Sequence, residues 1–461
     1  MSPLLATAGS PHWLLVSFDQ WRGDWLSQPE LQLPTLKRLA QTALVPRRCL
    51  TASPQCVPAR ASWLTGLWPS QLGVTRNQPY ALPADSPSFV RHLAQAGWHT
   101  ALIGKTHWHP HAAGLDLRDR TSLLAALGFA ESLEIAGPRA LMEVTCALTD
   151  AWQAHNPMLL EQYRSDLRDR YLAGPPWRVR PSILPSPLYP DIWVADQACA
   201  WLQQRGPSPE PWMLWVSFPG PHEPWDTPAP WAGLHGQRRL PAATARPAWM
   251  LSQPLASECR QRLEQWTPGP GREAIRALRA DYADHLALLD HQLARLFAHL
   301  PEPERTTITV VSDHGELLGD AGLLYKSCFL EGAVRSLALH RPCRGLPPWG
   351  RRPQQPIGLS WLLAAAAEEV ATGRPLAKQR HPPYAFSEFG TELMISDRRR
   401  KLVLDGGGNP LWAIDLIRDP EEQHNRLSPG QPLSGPWQRL RQVALAHQNH
   451  RLGSPLTSPV S

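Results

Sequence analysis

Cysteine and lysine are both scarce in this chain of 461 residues. The seven cysteines are odd in number, and no two of them form a Cys-x-x-Cys pair. This pattern argues against a disulfide framework and against a structural zinc site built on cysteine, and it favours a reducing compartment. Lysine occupies five positions, so arginine supplies most of the 46 cationic side chains. Each lysine is therefore a stronger candidate for a functional residue than it would be in a lysine-rich chain.

Long apolar runs are also missing from the sequence. None approaches the roughly 18 apolar residues of a membrane-spanning helix, and the amino terminus, MSPLLATAGSPHWLLVSFD, has no basic leader. We therefore expect no signal peptide, no membrane association and a cytoplasmic location. The net charge of +6 is spread along the chain, with RRRK at 398–401 as the densest cluster. A solvated face explains this distribution better than nucleic-acid binding.

Four continuous apolar runs each end abruptly in polar residues, which is typical of strands buried on both faces of a parallel sheet. Segments with helical patterns lie between these runs. The predicted strands lie within 12–20, 98–109, 212–225 and 306–316, and the predicted helices are 34–43, 86–97, 191–205 and 275–300. This alternation predicts an α/β fold with a mostly parallel sheet.

The last part of the chain has a different pattern. Residues 383–425 read as short antiparallel strands with turns, followed by a helix at 436–450. The sequence therefore predicts a large α/β domain over 1–375 and a smaller α+β subdomain over 376–461.

Polar side chains follow all four predicted strands. Because the carboxyl ends of parallel strands meet at one edge of an open sheet, we expect these side chains to form one site. Its carboxylates and amide oxygen favour Ca²⁺ or Mg²⁺, while an imidazole leaves Mn²⁺ open, and a lysine beside a histidine suits an anionic ester. Taken singly, each residue is more simply explained as a helix cap, a turn or a surface residue. The residues are Asp19, Gln20, Lys105, His107, His222, Asp313 and His314, followed by Lys326 in a later loop.

The stretch SPQCVPARASWLTG, residues 53–66, places Cys56 between two prolines and four residues ahead of Arg60. A thiolate close to cations has a lowered pKa and can attack an ester. However, a soft thiolate is a poor match for a hard divalent cation. This mismatch between a soft thiolate and a hard cation indicates that the group that attacks the ester is an oxygen nucleophile.

Six motifs in this order along the chain resemble those of the type I sulfatases of the alkaline phosphatase superfamily. The resemblance is strongest to the bacterial branch that contains choline-sulfatase-like and phosphonate monoester hydrolase-like enzymes, and it covers nearly the whole chain. The motifs are FDQWRGD, CVPARASWLTG, GKTHW, VSDHGELLGD, YKSCFLEGAVRS and PLWAIDLIRDPEEQHN.

The resemblance implies a mechanism. A maturation enzyme that recognises Pro58 and Arg60 would oxidise Cys56 to formylglycine, whose hydrate would attack a sulfate ester through oxygen. The implied metal ligands are Asp19, Gln20, Asp313, His314 and the converted Cys56, most simply for Ca²⁺. Lys105, Lys326 and Asn77 would contact a small sulfate-ester substrate, Arg60 would hold the diol, His107 would assist its deprotonation, and His222 would protonate the leaving group.

Two alternatives remain beside a metal-dependent hydrolase of alkyl, aryl or sugar sulfates. Gln20 and His314 are similar to the phosphonate hydrolase side of the family, whereas Lys105 and His107 are similar to true sulfatases. A phosphonate monoester or phosphodiester hydrolase on the same scaffold therefore stays open. An inactive binding protein, in which Cys56 is never oxidised, also stays open as an alternative.

Tryptophan is abundant, with 21 residues, and three tryptophans follow predicted strands: Trp21, Trp108 and Trp225. Such residues either stack against a sugar or a cation, or pack in the core. The alcohol part of the substrate cannot be read from this pattern.

Overall fold

The computed structural model describes residues 12–252, 261, 264–265, 269–343, 353–376, 379–427 and 432–451. Cys259 and Lys378 lie outside the described residues. Residues 1–11, on which the expectation about a leader rests, lie outside them as well.

The strands of the described residues form three sheets. They are β1 (His12–Phe18), β2 (Cys49–Leu50), β3 (His99–Lys105), β4 (Glu131–Ile135), β5 (Trp212–Ser217), β6 (Thr306–Ser312), β7 (Arg335–Ser336), β8 (Ala338–Arg341), β9 (Ile357–Gly358), β10 (Ala385–Phe389), β11 (Glu392–Ser396), β12 (Arg400–Leu404) and β13 (Pro410–Asp415). The central sheet has the order β4-β3-β5-β1-β6-β8, and its strands run parallel except for β8. A small sheet has the order β7-β2-β9, and the third sheet has the order β10-β11-β12-β13.

The α-helices of the described residues include several that cover both faces of the central sheet and one, the last, that packs on the carboxyl-terminal sheet. They are α1 (Pro34–Leu39), α2 (Cys56–Thr65), α3 (Phe89–Gln95), α4 (Thr121–Ala126), α5 (Ala147–His155), α6 (Leu159–Arg168), α7 (Pro190–Arg205), α8 (Trp249–Ser252), α9 (Arg272–Ala298), α10 (Glu331–Val334), α11 (Leu359–Thr372) and α12 (Gly435–Arg451). Within the described ranges, no helix has an apolar stretch long enough to cross a bilayer.

The central strand β1 is buried on both faces, because its alternate side chains enter two different core clusters. Leu14 and Val16 pack with residues of α7 and α9, whereas Trp13 and Leu15 pack with residues of α2, α3 and α11. All seven residues of β1 are buried. This double burial explains why the sequence of β1 is a continuous apolar run rather than an alternating one.

The predicted α/β fold with a mostly parallel sheet is confirmed, and each of the four predicted strands is present. The predicted helices are also present as α1, α3, α7 and α9. Strands β4 and β8 and the small three-stranded sheet were not predicted. Their strands contain two to five residues, and β4 is partly exposed at the edge of the sheet. Such short strands carry too few residues for a periodic signal.

The short antiparallel strands predicted near the carboxyl terminus form a meander of four strands, and α12 covers one face of it. On the opposite face, Met394 and Val403 pack in one cluster with Leu317 and Phe329 of the larger part of the chain. The meander therefore shares a hydrophobic core with the α/β layers. The domain boundary at residues 375–376 stays a prediction.

Candidate active site

The site begins where β1 and β6 end side by side. The two strands are parallel neighbours, and Phe18 pairs with Ser312, so Asp19 and Asp313 leave the sheet together. The backbone N–H of Asp313 donates to the carbonyl of Phe18 over 3.1 Å. Both aspartates are completely buried. The predicted meeting of these strand ends is therefore present in the structure.

Cys56 is the first residue of α2 and lies against these strand ends. Its Sγ is 3.1 Å from Nε2 of His314 and 3.7 Å from Oδ1 of Asp19. The helix thus includes Cys56 and Pro58 in its first turn. Pro58 is tolerated because it lies in the first turn, where a backbone N–H has no partner within the helix. The helix ends at Gly66, whose φ of 72° is the left-handed conformation common at helix ends.

Arg60, one turn into α2, connects the two aspartates. Its Nε donates to Oδ2 of Asp313 over 2.9 Å, and its Nη2 is 3.5 Å from Oδ2 of Asp19. Its Nη1 donates to the carbonyl of Lys105 and to Oγ of Ser217, each over 3.0 Å. Arg60 therefore fixes the start of α2 against the ends of four strands, β1, β3, β5 and β6.

Two lysines place positive charge beside Cys56. Nζ of Lys105 contacts Oδ2 of Asp19, and Nζ of Lys326 contacts Oε1 of Gln20. Burial by itself would raise the pKa of Asp19, but Lys105 and His222 hold it well below its usual range. Both lysines are buried. The site can therefore stabilise additional negative charge.

Gln20 has a positive φ of 72° and a fully buried side chain. Its Nε2 donates to Oε2 of Glu223 over 3.0 Å and also contacts Glu316. Its Oε1 faces Lys326. The structure thus places Gln20 next to the carboxylate cluster, and its role as a metal ligand stays a prediction.

A cleft of about 410 Å³ opens onto Cys56 and is lined by four more of the predicted residues: Lys105, Lys326, His107 and His222. The Nδ1–H of His222 donates to the carbonyl of Glu223 over 2.7 Å, which leaves its Nε2 for contacts in the cleft. Burial, and then the charge of Lys105, lower the pKa of His107 well below its ordinary value. Both imidazoles are therefore available for proton transfer in the cleft.

Asn77 also lines the cleft, but its side chain already has a structural partner. Its Oδ1 accepts a hydrogen bond from the backbone N–H of Val57 over 3.0 Å. Asn77 thereby satisfies one of the free amides at the start of α2. A contact between Asn77 and the substrate stays a prediction.

Three residues of the site were not found from the sequence: Arg139, Glu223 and Glu316. Arg139 lies at the mouth of the cleft, 2.9 Å from Glu223 and stacked on the ring of Tyr171. Burial alone would raise the pKa of Glu223, but His222, Lys326 and Arg139 lower it to about 2. Glu223 and Glu316 directly follow His222 and the DHG motif, and this adjacency was the available signal. Arg139 has no neighbouring motif in the sequence that would have pointed to it.

The three tryptophans after the strands pack in the protein interior. Trp21 is 0% exposed, Trp108 is 1% exposed and Trp225 is 3% exposed. These values leave little ring surface for a substrate, so the core-packing interpretation is correct.

The donor atoms of four residues lie within 4.8 Å of one another and form a candidate metal site: Asp19, Cys56, Asp313 and His314. Carboxylate oxygens dominate the set, which fits a hard divalent cation. The sulfur of Cys56 is the one soft donor among them. The donor chemistry therefore fits such a cation best if position 56 offers an oxygen.

With this geometry known, the comparison with protein families is decisive. The model of the family described as Sulfatase matches residues 11–340. The chain belongs to the sulfatase family. This confirms the resemblance inferred from the six motifs at the level of the family. The matched range ends within β8 and contains every residue of the candidate site.

Individual relatives and one solved structure agree with this assignment. An arylsulfatase of Clostridium perfringens is 26% identical over 340 residues, which are 70% of this chain and 67% of the relative. A choline-sulfatase of Rhizobium meliloti is 28% identical over 347 residues, which are 71% of this chain and 62% of the relative. The chain thus matches about two thirds of the length of these relatives. The structure of a phosphonate monoester hydrolase from Silicibacter pomeroyi superposes with a TM-score of 0.73 at 21% identity, covering 96% of this chain and 95% of that chain, which establishes the shared fold.

Proposed function

We propose that this protein is a metal-dependent sulfuric ester hydrolase. The observation that carries the proposal is the position of Cys56, buried at the base of a cleft between the carboxylate cluster and two lysines. Lys105 and Lys326 supply positive charge where an anionic ester would enter. Preorganised positive charge of this kind stabilises the charge that develops as the ester is cleaved. The sulfatase relatives support sulfate as the anion.

Asp19, Asp313, His314 and residue 56 would hold the metal ion, with Gln20 as a further candidate ligand. The mixture of carboxylates and one imidazole is compatible with Ca²⁺, and also with Mn²⁺ or Mg²⁺. A divalent ion bound there would polarise the ester and favour an ionised oxygen nucleophile. Arg60 would keep the two aspartates in position for it.

We infer that Cys56 is converted to formylglycine by a separate maturation enzyme. The hydrated aldehyde would supply an oxygen nucleophile in place of a thiol. This conversion removes the mismatch between a soft sulfur and a hard cation. The family assignment supports it, because the cysteine lies in the CVPAR motif that resembles the sulfatase signature.

The chain's own residues then have distinct tasks in the cleavage. Lys105 and Lys326 hold the non-bridging oxygens of the ester. His222 would give a proton from Nε2 to the leaving oxygen when both of its ring nitrogens carry protons, while its Nδ1–H stays on the carbonyl of Glu223. The lowered pKa of His107 keeps this residue neutral and able to accept a proton.

A phosphonate monoester or a phosphodiester is the second candidate substrate class. Gln20 and His314, which are both buried, favour it, because these two residues are similar to the phosphonate hydrolase side of the family. These anions resemble sulfate esters in shape, and the same lysines would bind both. Relative rates distinguish the two classes.

Peptide mass spectrometry across residues 53–66, together with a substrate panel, tests the proposal. The protein is purified from its native host and assayed with alkyl, aryl and sugar sulfates and with a phosphonate monoester. We expect loss of the thiol mass at Cys56, gain of an aldehyde, and faster turnover of a sulfate than of the phosphonate. Cys56→Ala is expected to lose about 10³-fold or more in kcat, whereas Cys343→Ala, outside the site, keeps full activity.

Each contrary result overturns a defined part of the proposal. An unmodified Cys56 in active protein excludes formylglycine. Faster turnover of the phosphonate favours the second candidate. Converted protein without activity on any of these esters contradicts the assignment as a hydrolase of them.

A further inference from the structure

A second cluster of metal-binding side chains lies beside the active site and has no task in the proposed reaction. The segment after β3 has histidines at every other position, in the sequence HWHPH. His109 and His111 meet Glu134, which comes from the neighbouring strand β4. One ligand atom from each of the three lies within 4.8 Å of the others.

The strand register brings these residues together. Gly104 of β3 pairs with Glu134 of β4, so the carboxylate lies near the point where the histidine segment leaves the sheet. Glu134 and His109 are buried, and the side chain of His111 is 4% exposed. The hydroxyl of Thr106 contacts Oε1 of Glu134 and orients the carboxylate.

The hydrogen bonds of His109 leave room for a cation. Its Nδ1 is 3.2 Å from the carbonyl of Pro110, and a carbonyl can only accept, so the proton of neutral His109 belongs on Nδ1. The opposite nitrogen, Nε2, is 2.8 Å from Oε2 of Glu134. In the neutral imidazole both atoms are acceptors. With the proton on Nδ1, a cation between these two acceptors, either a second proton or a metal ion, makes their contact favourable.

His111 distinguishes between these two possibilities. Neither of its ring nitrogens makes a hydrogen bond to any residue that the structure describes, although the side chain is buried. Its Nε2 lies 3.5 Å from Oε1 of Glu134. A proton shared by His109 and Glu134 would leave both nitrogens of His111 without a hydrogen bond, whereas a metal ion would bind Nε2 and leave only Nδ1 without a partner among the described residues. Buried polar atoms without partners are uncommon, so the metal ion gives the more complete account.

The separations also suit coordination. Tetrahedral zinc bonded at about 2.1 Å places neighbouring ligand atoms about 3.4 Å apart. The distance from Nε2 of His111 to Oε1 of Glu134, 3.5 Å, matches this value, and the distance from Nε2 of His109 to Oε2 of Glu134, 2.8 Å, is about 0.6 Å shorter. Because the two histidines face different oxygens of the carboxylate, a shift of about half an ångström at His109 or Glu134 would bring them to the distances of one bound ion. The carbonyl of Pro110, which holds His109 in the required tautomer, is a typical outer partner of a metal-binding histidine.

We propose that Nε2 of His109, Nε2 of His111 and the carboxylate of Glu134 bind a transition metal ion of the zinc class. Two imidazoles and one carboxylate favour zinc or a similar ion over calcium, so this site differs in preference from the carboxylate cluster at Asp19. The ring of His107 is 5.1 Å from that of His111. The ion would therefore fix the segment that carries His107 into the active-site cleft, as a positioning element.

Cobalt substitution tests this site independently of catalysis. Full-length protein is freed of metal with a chelator and titrated with Co²⁺ in the presence of excess Ca²⁺, while absorption is followed in the visible region. Tetrahedral Co²⁺ with nitrogen and oxygen ligands absorbs there. We expect one equivalent of bound Co²⁺ in the wild type, displaced by one equivalent of Zn²⁺.

Three variants locate the bound ion. His111→Ala and Glu134→Gln are expected to lose more than the roughly 10- to 100-fold in affinity that the loss of an outer partner costs. His92→Ala, at an exposed position on α3, keeps the wild-type titration. Asp313→Asn, which alters the carboxylate cluster instead, keeps the visible bands, and circular dichroism verifies that each variant is folded.

The proposal is overturned if the wild type binds no Co²⁺ under these conditions, since that result does not depend on any variant. It is also overturned if the bands survive in folded His111→Ala, or if they disappear in folded Asp313→Asn. None of these readouts requires turnover, so failure here leaves the proposed hydrolase activity intact.

Discussion

At the scale of the residue, the most specific feature of the site is the tautomer of His222. Its Nδ1–H is bonded to the carbonyl of Glu223, so one nitrogen remains for chemistry in the cleft. A residue that protonates a leaving group accelerates the reaction more when that leaving group is more basic. This relation separates a proton donor from a residue that only binds substrate.

We therefore predict that His222→Ala slows the hydrolysis of alkyl sulfates by about 10²–10⁴-fold, because an alkoxide leaves poorly without a proton. Hydrolysis of a nitrophenyl sulfate, whose leaving group is stable as an anion, should fall by less than about 10-fold. Steady-state kcat/KM for both substrates measures the difference. Equal losses on the two esters would assign His222 to binding instead, and His92→Ala serves as the surface control.

The sequence predicted residues of the site wherever a side chain directly follows a long buried strand. Asp19 and Asp313 were found in this way, because the ends of two parallel strands must lie at the same edge of the sheet. Arg139 could not be found, since its place at the cleft depends on a loop path that no local pattern encodes. Likewise, the histidines after β3 are visible in the sequence, but their partner Glu134 depends on the register between β3 and β4.

At the scale of the element, the contact between β3 and β5 depends on a glycine. Gly104 has a φ of 117°, and a Cβ added there would lie 1.9 Å from the carbonyl oxygen of Ser217. Backbone atoms cannot yield to such a clash without separating the strands. The next residue is Lys105, so a displacement of this strand end would also move the active site.

Gly104→Ala is accordingly predicted to lower the free energy of unfolding by about 3 kcal/mol or more. Gly66→Ala is the matched control, since Gly66 also has a positive φ, of 72°, but no atom lies within 4 Å of an added Cβ. Its cost should be about 1 kcal/mol, from backbone strain alone. Urea denaturation of both variants provides the comparison. Similar losses in the two would show that β3 can shift away from Ser217.

The long helix α9 buries the carboxyl group of Asp281, whose pKa is higher in the folded protein than in the unfolded chain. Burial, and then the nearby carboxylate of Asp226, raise the pKa of Asp281 to about 7. Asp284 adds to this effect, while His285 opposes it. Because the folded-state pKa lies above the unfolded value, the contribution to stability is complete below about pH 4. It is lost progressively as the pH rises through 7.

Asp281→Asn should remove this dependence, since an amide stays neutral and can still accept the 3.2 Å hydrogen bond from the backbone N–H of Thr227. We expect similar unfolding free energies for variant and wild type at pH 4. At pH 8 the variant should be more stable by about 2–4 kcal/mol. Urea titrations at the two pH values test this, with exposed Asp119→Asn as control. A variant that is no more stable at pH 8 would contradict the raised pKa.

At the scale of the whole molecule, a buried lysine joins the carboxyl-terminal meander to the α/β layers. Lys401 of β12 is completely buried, and its Nζ lies 2.8 Å from Oε1 of Glu331 and 2.6 Å from Oε1 of Glu422. It also donates to the carbonyl of Phe329 over 2.7 Å. Glu331 is further paired with Arg48 over 2.7 Å. The charges are thus mutually compensated.

Replacing Lys401 with methionine is predicted to lower the unfolding free energy by about 3–5 kcal/mol, because two buried carboxylates lose their shared partner. Arg418→Met, at an exposed position, should change it by less than about 0.5 kcal/mol. Chemical denaturation followed by tryptophan fluorescence measures both variants. A change below about 1 kcal/mol for Lys401→Met would mean that the meander does not depend on this network.

The central place of β1 has a consequence for how the protein is made. Val16 pairs with Val216 on one side and with Val310 on the other, so both partners of the first strand are encoded far downstream. At about 5–20 residues per second, the ribosome takes about 15–60 s to complete the second partner. During that time an apolar strand has open edges and can join strands of other nascent chains. At least one edge of β1 therefore stays open until β6 has been made, and the growing chain is exposed to misassembly during that time.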